Sequence, residues 1–145
     1  MRKTERFPVK GANSLWHVYD TVPFWKVIKN FIFIQAARYS PFLSWKNFFY
    51  RTFLRMEVGK ETSFALMVMV DVMFPERIKV GNNTIIGYNT TILAHEYLID
   101  EYRIGDVIIG DRVLIGANST ILPGVTIGND AIISAATLVN ADVPE

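Results

Sequence analysis

From Val80 to Val143 an aliphatic residue returns every sixth position, usually followed by a small one: Val80-Gly81, Ile86-Gly87, Ile92-Leu93, then Ile109-Gly110, Ile115-Gly116, Ile121-Leu122, Ile127-Gly128, Ile133-Ser134 and Val139-Asn140. Two residues before these positions runs a second register of small or β-branched residues, Thr84, Thr90, Val113, Ser119, Val125, Ala131 and Thr137. A period of six is neither the 3.6 of a helix nor the two of a lone strand. It predicts short strands joined at regular corners, each turn burying its aliphatic residue against the copies above and below, as in a solenoid. Val58-Gly59, Phe64-Ala65 and Val70-Asp71 carry the repeat further back.

The register breaks twice. Val70 to Val80 is a step of ten, which places an irregular corner at Phe74-Pro75-Glu76-Arg77. Ile92 to Ile109 is a step of seventeen and contains Ala94-His95-Glu96-Tyr97, so a surface loop is expected near 96–107. Such interruptions often map to a binding face.

Residues 1–57 do not repeat. Gly11, Asn13 and Ser14 mark an opening loop, and Pro23 is suited to the start of a helix from Phe24 to about Arg38, with Phe24, Val27, Ile28, Phe31, Ile34 and Ala37 along one stripe. Ser40-Pro41 ends it, and a second helix is expected from about Leu43 to Leu54. Two readings of this aromatic and basic pair are open. It packs on the flank or open end of the solenoid and covers an unpaired strand edge, or it makes peripheral contact with a membrane surface.

The six-residue pattern resembles the hexapeptide-repeat acyltransferases, and Ile-Leu-Ala-His95 before a break, with Ile109-Gly110-Asp111 and Ile121-Leu-Pro-Gly-Val-Thr-Ile-Gly128 after it, is most similar to the galactoside, maltose and xenobiotic O-acetyltransferases. The resemblance implies a mainly β fold, a left-handed parallel β-helix over 58–145 behind an N-terminal helical segment over 1–57. That hand is an exception to the usual right-handed crossover. The resemblance also implies an acetyl-CoA-dependent O-acetyltransferase, a homotrimer with active sites between subunits, and a small hydroxyl acceptor. The family's last strand and basic coenzyme-binding residues have no counterpart after Asp142-Val143-Pro144-Glu145, so the C-terminus reads as truncated against that pattern.

Candidate chemistry is sparse. Of the two histidines, His95 lies at the break and aligns with the family's catalytic histidine, whereas His17 beside Trp16 reads as structural. A neutral imidazole exists at pH 7 and can take the acceptor's proton as the hydroxyl attacks the thioester, with backbone N–H groups stabilising the oxyanion. Asp71 is the candidate for acceptor binding or thioester contact, against a plain corner aspartate. Glu96 could orient the imidazole, although adjacent side chains on a strand point to opposite faces. For the coenzyme the resemblance points to Ala117 and Ala135, small residues that let backbone approach the pantetheine arm, and to Asn140 and Ala141, which replace a Thr-Lys pair.

Composition narrows the field. A net charge of +1 argues against nucleic-acid binding, and the absence of cysteine removes a thiol nucleophile and thiolate metal sites. No signal peptide is visible, and a cytoplasmic location is expected. A γ-class carbonic-anhydrase-like metalloprotein needs three histidines per zinc and is disfavoured, so no metal is expected. A catalytically silent oligomeric binding platform is the other alternative.

Overall fold

The computed structural model describes residues 2–145. The chain opens with strand β1 (Glu5–Pro8), a 3-10 turn (Ser14–His17), the single-turn helix α1 (Val18–Thr21), and helices α2 (Phe24–Tyr39) and α3 (Leu43–Thr52). There follow β2 (Glu57–Val58), β3 (Ser63–Phe64), β4 (Met69–Val70), a 3-10 turn at Pro75–Arg77, β5 (Ile78–Val80), β6 (Ile85–Ile86) and β7 (Thr91–Ile92). A hairpin of β8 (His95–Tyr97) and β9 (Glu101–Ile104) interrupts the series, which resumes as β10 (Val107–Ile109), β11 (Leu114–Ile115), β12 (Thr120–Ile121), β13 (Thr126–Ile127), β14 (Ile132–Ile133) and β15 (Leu138–Val139).

Three four-stranded parallel sheets result, visited in rotation: β2-β5-β10-β13, β3-β6-β11-β14 and β4-β7-β12-β15. Pairing aligns the repeat residues, Val80 with Val58 and Ile109, Ile86 with Phe64 and Ile115, Ile92 with Val70 and Ile121. Each of these side chains is buried, except that Val58 is half-buried. A fully buried Val or Ile contributes roughly 1.5–3 kcal/mol, so the stacked aliphatic columns dominate the fold's stability. The second register is buried too, at Thr84, Thr90, Val113, Ser119, Val125 and Ala131.

The first and second corners of each turn share one device. The residue three after the core aliphatic takes a left-handed backbone, at Glu61, Met67, Asn83, Asn89, Arg112, Asn118, Asp130 and Ala136. At the first corner the next turn's side chain folds back onto the backbone: Asn82 N–H donates to Asp111 Oδ1 at 2.7 Å and Asp111 N–H to Asn129 Oδ1 at 2.7 Å. A Cβ on Gly81 would lie 2.3 Å from Asp111 Oδ1, which is why no side chain fits there. The third corner departs from this pattern. No left-handed residue follows Val70, Ile92 or Val139 at this position, and Gly124 supplies one after Ile121.

Helices α2 and α3 close the first end of the stack. First-turn N–H groups donate to carbonyls of the second turn, as in Gly59 to Val80 and Ala65 to Ile86, and the second turn's Asn83 and Asn89 return bonds to Lys60 and Leu66, but carbonyls facing the open end need other donors. Side chains of the helices supply them: Asn30 to Val72, Lys46 to Phe64 and Asn47 to Thr62, each at 2.8 Å, with Arg51 reaching both Val58 and Gly59 at 2.8 Å. Tyr50 packs on Phe64 at 4.4 Å between ring centroids. Helices α2 and α3 thus face the carbonyls at this end of the stack.

The opening segment holds more than the expected loop. β1 pairs antiparallel with β9, giving a three-stranded sheet β1-β9-β8. A lone hairpin would leave the edge of β9 open; β1 closes it, and Phe7 stacks on Tyr102 at 4.8 Å.

Candidate active site

Asp71 and His95 come together at the third corner. Val70 and Ile92 are paired in adjacent turns, so the chain leaving β4 delivers Asp71 beside the Ala94-His95 segment leaving β7. Asp71 Oδ1 accepts the N–H groups of Met73 (2.8 Å) and Phe74 (2.9 Å), folding the lengthened corner around the carboxylate. Its Oδ2 accepts the Ala94 N–H at 2.6 Å and lies 2.5 Å from His95 Nδ1. A buried carboxylate is costly unless its lone pairs are used. This one is fully enclosed and has four partners, while the imidazole keeps 15% of its side-chain surface exposed.

The pairing decides the imidazole's geometry. An ionised carboxylate only accepts hydrogen bonds, so Nδ1 carries the proton toward Asp71, and in the neutral ring Nε2 keeps its lone pair. Phe74 and Tyr97 meet the ring edge-on at centroid distances of 6.0 and 4.9 Å. The Tyr97 hydroxyl bonds Thr21 Oγ1 at 2.8 Å. Burial pushes that phenol above its ordinary value, with the negative charge of Asp71 adding in the same direction and the Thr21 bond opposing.

Glu96 points away, as strand alternation requires, and bonds Arg2 Nη1 at 2.6 Å with Arg103 Nη1 at 3.9 Å. His17 lies apart, on the 3-10 turn before α1, with Nδ1 3.6 Å from Asp20 and Nε2 buried without a partner. Ala117 and Ala135 stack at the second corner, where a Cβ on Gly116 would come within 2.4 Å of the Ala135 nitrogen. Asn140 and Ala141 are exposed at the third corner of the last turn. Second and third corners of one turn, Ala117 and Leu122, are five residues apart, at most about 16 Å at ~3.3 Å per residue. One chain thus joins Asp71 to His95 but keeps the alanine column separate from them.

Sequence reasoning missed Phe74, Tyr97 and Thr21. Tyr97 carried a usable signal, since it sits two residues after His95 on one strand and shares its face. Thr21 and Phe74 are set by tertiary packing.

Residues 106–141 match the family model described as hexapeptide repeat of succinyl-transferase. The full chain is 75% identical over 145 residues to "Putative acetyltransferase YvoF" of Bacillus subtilis (strain 168), covering 84% of that protein. The crystal structure of the hexapeptide-repeat containing acetyltransferase VCA0836 from Vibrio cholerae O1 biovar eltor, complexed with acetyl coenzyme A, superimposes with a TM-score of 0.67 at 20% identity, over 83% of this chain and 79% of that one. A galactoside acetyltransferase in complex with coenzyme A superimposes with a TM-score of 0.60 at 16% identity, over 92% and 84%. With the repeat, the three parallel sheets and a full-length relative in agreement, the chain belongs to the hexapeptide-repeat acetyltransferase family.

Proposed function

We propose that the chain winds a left-handed parallel β-helix and transfers acetyl from acetyl-CoA directly to a hydroxyl of a small sugar-like or xenobiotic acceptor, with His95 as general base. The single observation that carries the reading is the Asp71–His95 contact. It fixes the tautomer in which Nε2 can accept the hydroxyl proton, as a base at hydrogen-bond range must. In this reading Asp71 acts as a positioning residue, because its four hydrogen bonds turn its carboxylate inward. The bound coenzyme supplies the electrophile, its thioester carbonyl.

The residues present fit the pantetheine arm better than the phosphates. Ala117 is half-buried and Ala135 exposed, and side chains this small let a ligand approach the backbone of their column, whereas Asn140 and Ala141 bring no cation to the other end. Ala117 and His95 occupy different corners, which supports a site completed by a neighbouring subunit in a homotrimer. The flat side such an assembly would bury is the outer face of the β3-β6-β11-β14 sheet. There Ile85, Leu114 and Ile132 stand in register and are 50%, 41% and 74% exposed.

The test is release of free coenzyme from acetyl-CoA against a panel of hydroxyl acceptors. Acceptor-dependent release is expected. No release with any acceptor by the assembled protein would reject the catalytic reading and leave a silent binding platform.

A further inference from the structure

We propose that the outer surface of the α2–α3 cap is a docking surface for an anionic lipid bilayer. On α2, Asn30, Ile34 and Ala37 face the stack, while Trp25, Ile32 and Tyr39 recur every seven residues on the outside and are 76%, 56% and 64% exposed. On α3, Lys46, Asn47 and Tyr50 are spent on the strand edge, and Trp45 and Phe48 are left 60% and 53% exposed. Phe42 bridges the two helices against Trp45, at 4.9 Å between centroids. Among the described residues nothing covers these side chains. Indoles and phenols beside aliphatic groups suit the headgroup region of a bilayer, where one end of each ring is wet.

Charge identifies the occupant. The cap, residues 23–56, holds six Lys or Arg, of which Lys46 is buried, and no Asp or Glu, whereas residues 58–145 hold five Lys or Arg against eleven Asp or Glu. The cap is therefore basic on an acidic coil, and the near-zero net charge of the whole chain hides this. At its rim the exposed Lys29 and Arg55 line one cavity with Lys26, whose own charge is paired with Glu76 at 2.5 Å. Among the described residues no helix is long and apolar enough to cross a membrane. An aromatic face with basic flanks on short helices is the pattern of a surface-bound element.

A second copy of the chain fits this surface less well. The lateral face with Ile85, Leu114 and Ile132 is aliphatic and lies along the stack, whereas the cap sits at its end. Side-by-side association leaves the ends open. In a ring whose axis follows the stack, all caps would lie at one end and bind one bilayer together.

The experiment is co-sedimentation of the full chain with vesicles of phosphatidylcholine alone or mixed with phosphatidylglycerol, without coenzyme or acceptor. Its outcome is therefore independent of the catalytic reading. Binding to the phosphatidylglycerol vesicles is expected, with a blue shift of tryptophan emission and a loss of about tenfold or more between roughly 0.1 and 1 M salt. Trp25→Ser with Trp45→Ser should weaken binding about tenfold or more, with circular dichroism and particle mass unchanged. Lys29→Gln with Arg55→Gln should lower binding to the anionic vesicles. A folded chain that ignores phosphatidylglycerol vesicles overturns the proposal. So does a fall in particle mass on the double tryptophan substitution, which would show that another copy covers the cap.

Discussion

Asp71 Oδ2 holds His95 Nδ1 at 2.5 Å across two adjacent turns, although the residues are 24 positions apart in the chain. The contact needs the step of ten between Val70 and Val80. A regular six-residue step would turn this third corner with a left-handed residue, as Gly124 does between Ile121 and Ile127, and would have no extra chain to wrap backbone N–H groups around a carboxylate.

His95→Ala is expected to lower acetyl transfer about 10²- to 10⁴-fold, the usual contribution of a positioned general base. Thermal stability should change little, because the aliphatic columns hold the fold. His17→Ala serves as the control and should keep most of the activity. Turnover of His95→Ala near the wild-type level with a good acceptor would remove the base assignment.

Asp71→Asn separates positioning from packing. The new amide can still accept from Met73 and Phe74, but its NH₂ then faces the Ala94 N–H and His95 Nδ1. The imidazole must turn over its tautomer or lose its partner, so kcat should fall strongly while the acceptor KM moves little. A buried donor set against a donor costs about 1–3 kcal/mol, readable as a lower denaturation midpoint. Loss of stability with kcat intact would make Asp71 a corner residue only.

The parallel repeat was legible because Val, Ile and Phe at every sixth position leave little else to fold into, and the breaks at 70–80 and 92–109 stood out against that regularity. His95 was legible for the same reason. The contact Asp71 makes was not, since a step of ten in place of six shows that a corner is irregular without showing which atoms it gathers. The helices announced themselves by their stripes, but Asn30, Lys46 and Asn47 look polar and surface-facing in sequence. They are buried because the first turn's carbonyls have no preceding strand. β1 was invisible: Glu-Arg-Phe-Pro has no alternation strong enough to mark a strand, and only the edge of β9 calls it into place.

Tyr50 should govern part of the alkaline limit. Its hydroxyl is buried without a partner, and burial pushes its pKa well above the ordinary tyrosine value, with Arg38 opposing. A raised folded pKa means stability fully present below the unfolded value of about 10, and lost as pH rises from there toward the folded value. Tyr50→Phe should be within about 1 kcal/mol of wild type at pH 7. It should lose less stability above pH ~10. Parallel alkaline loss in both proteins, followed by urea denaturation at stepped pH, would assign the effect elsewhere.

Assembly can be tested through the site itself. Ile132→Asp puts a charge in the middle of the aliphatic outer face, and light scattering should show the proposed trimer giving way to monomer. Activity should disappear with it although His95 is untouched, because the Ala117–Ala135 column stands at another corner of the same chain. Subunit mixing makes the point without breaking the assembly. Trimers of His95→Ala lack a base, and trimers of Ala135→Trp have a blocked groove, so each alone should be inactive. If a site takes its histidine from one subunit and its alanine column from the next, reassembly of an equal mixture restores about one site in four. No recovery from mixed trimers, with mixing verified by mass, would place base and groove within one chain and exclude the shared site.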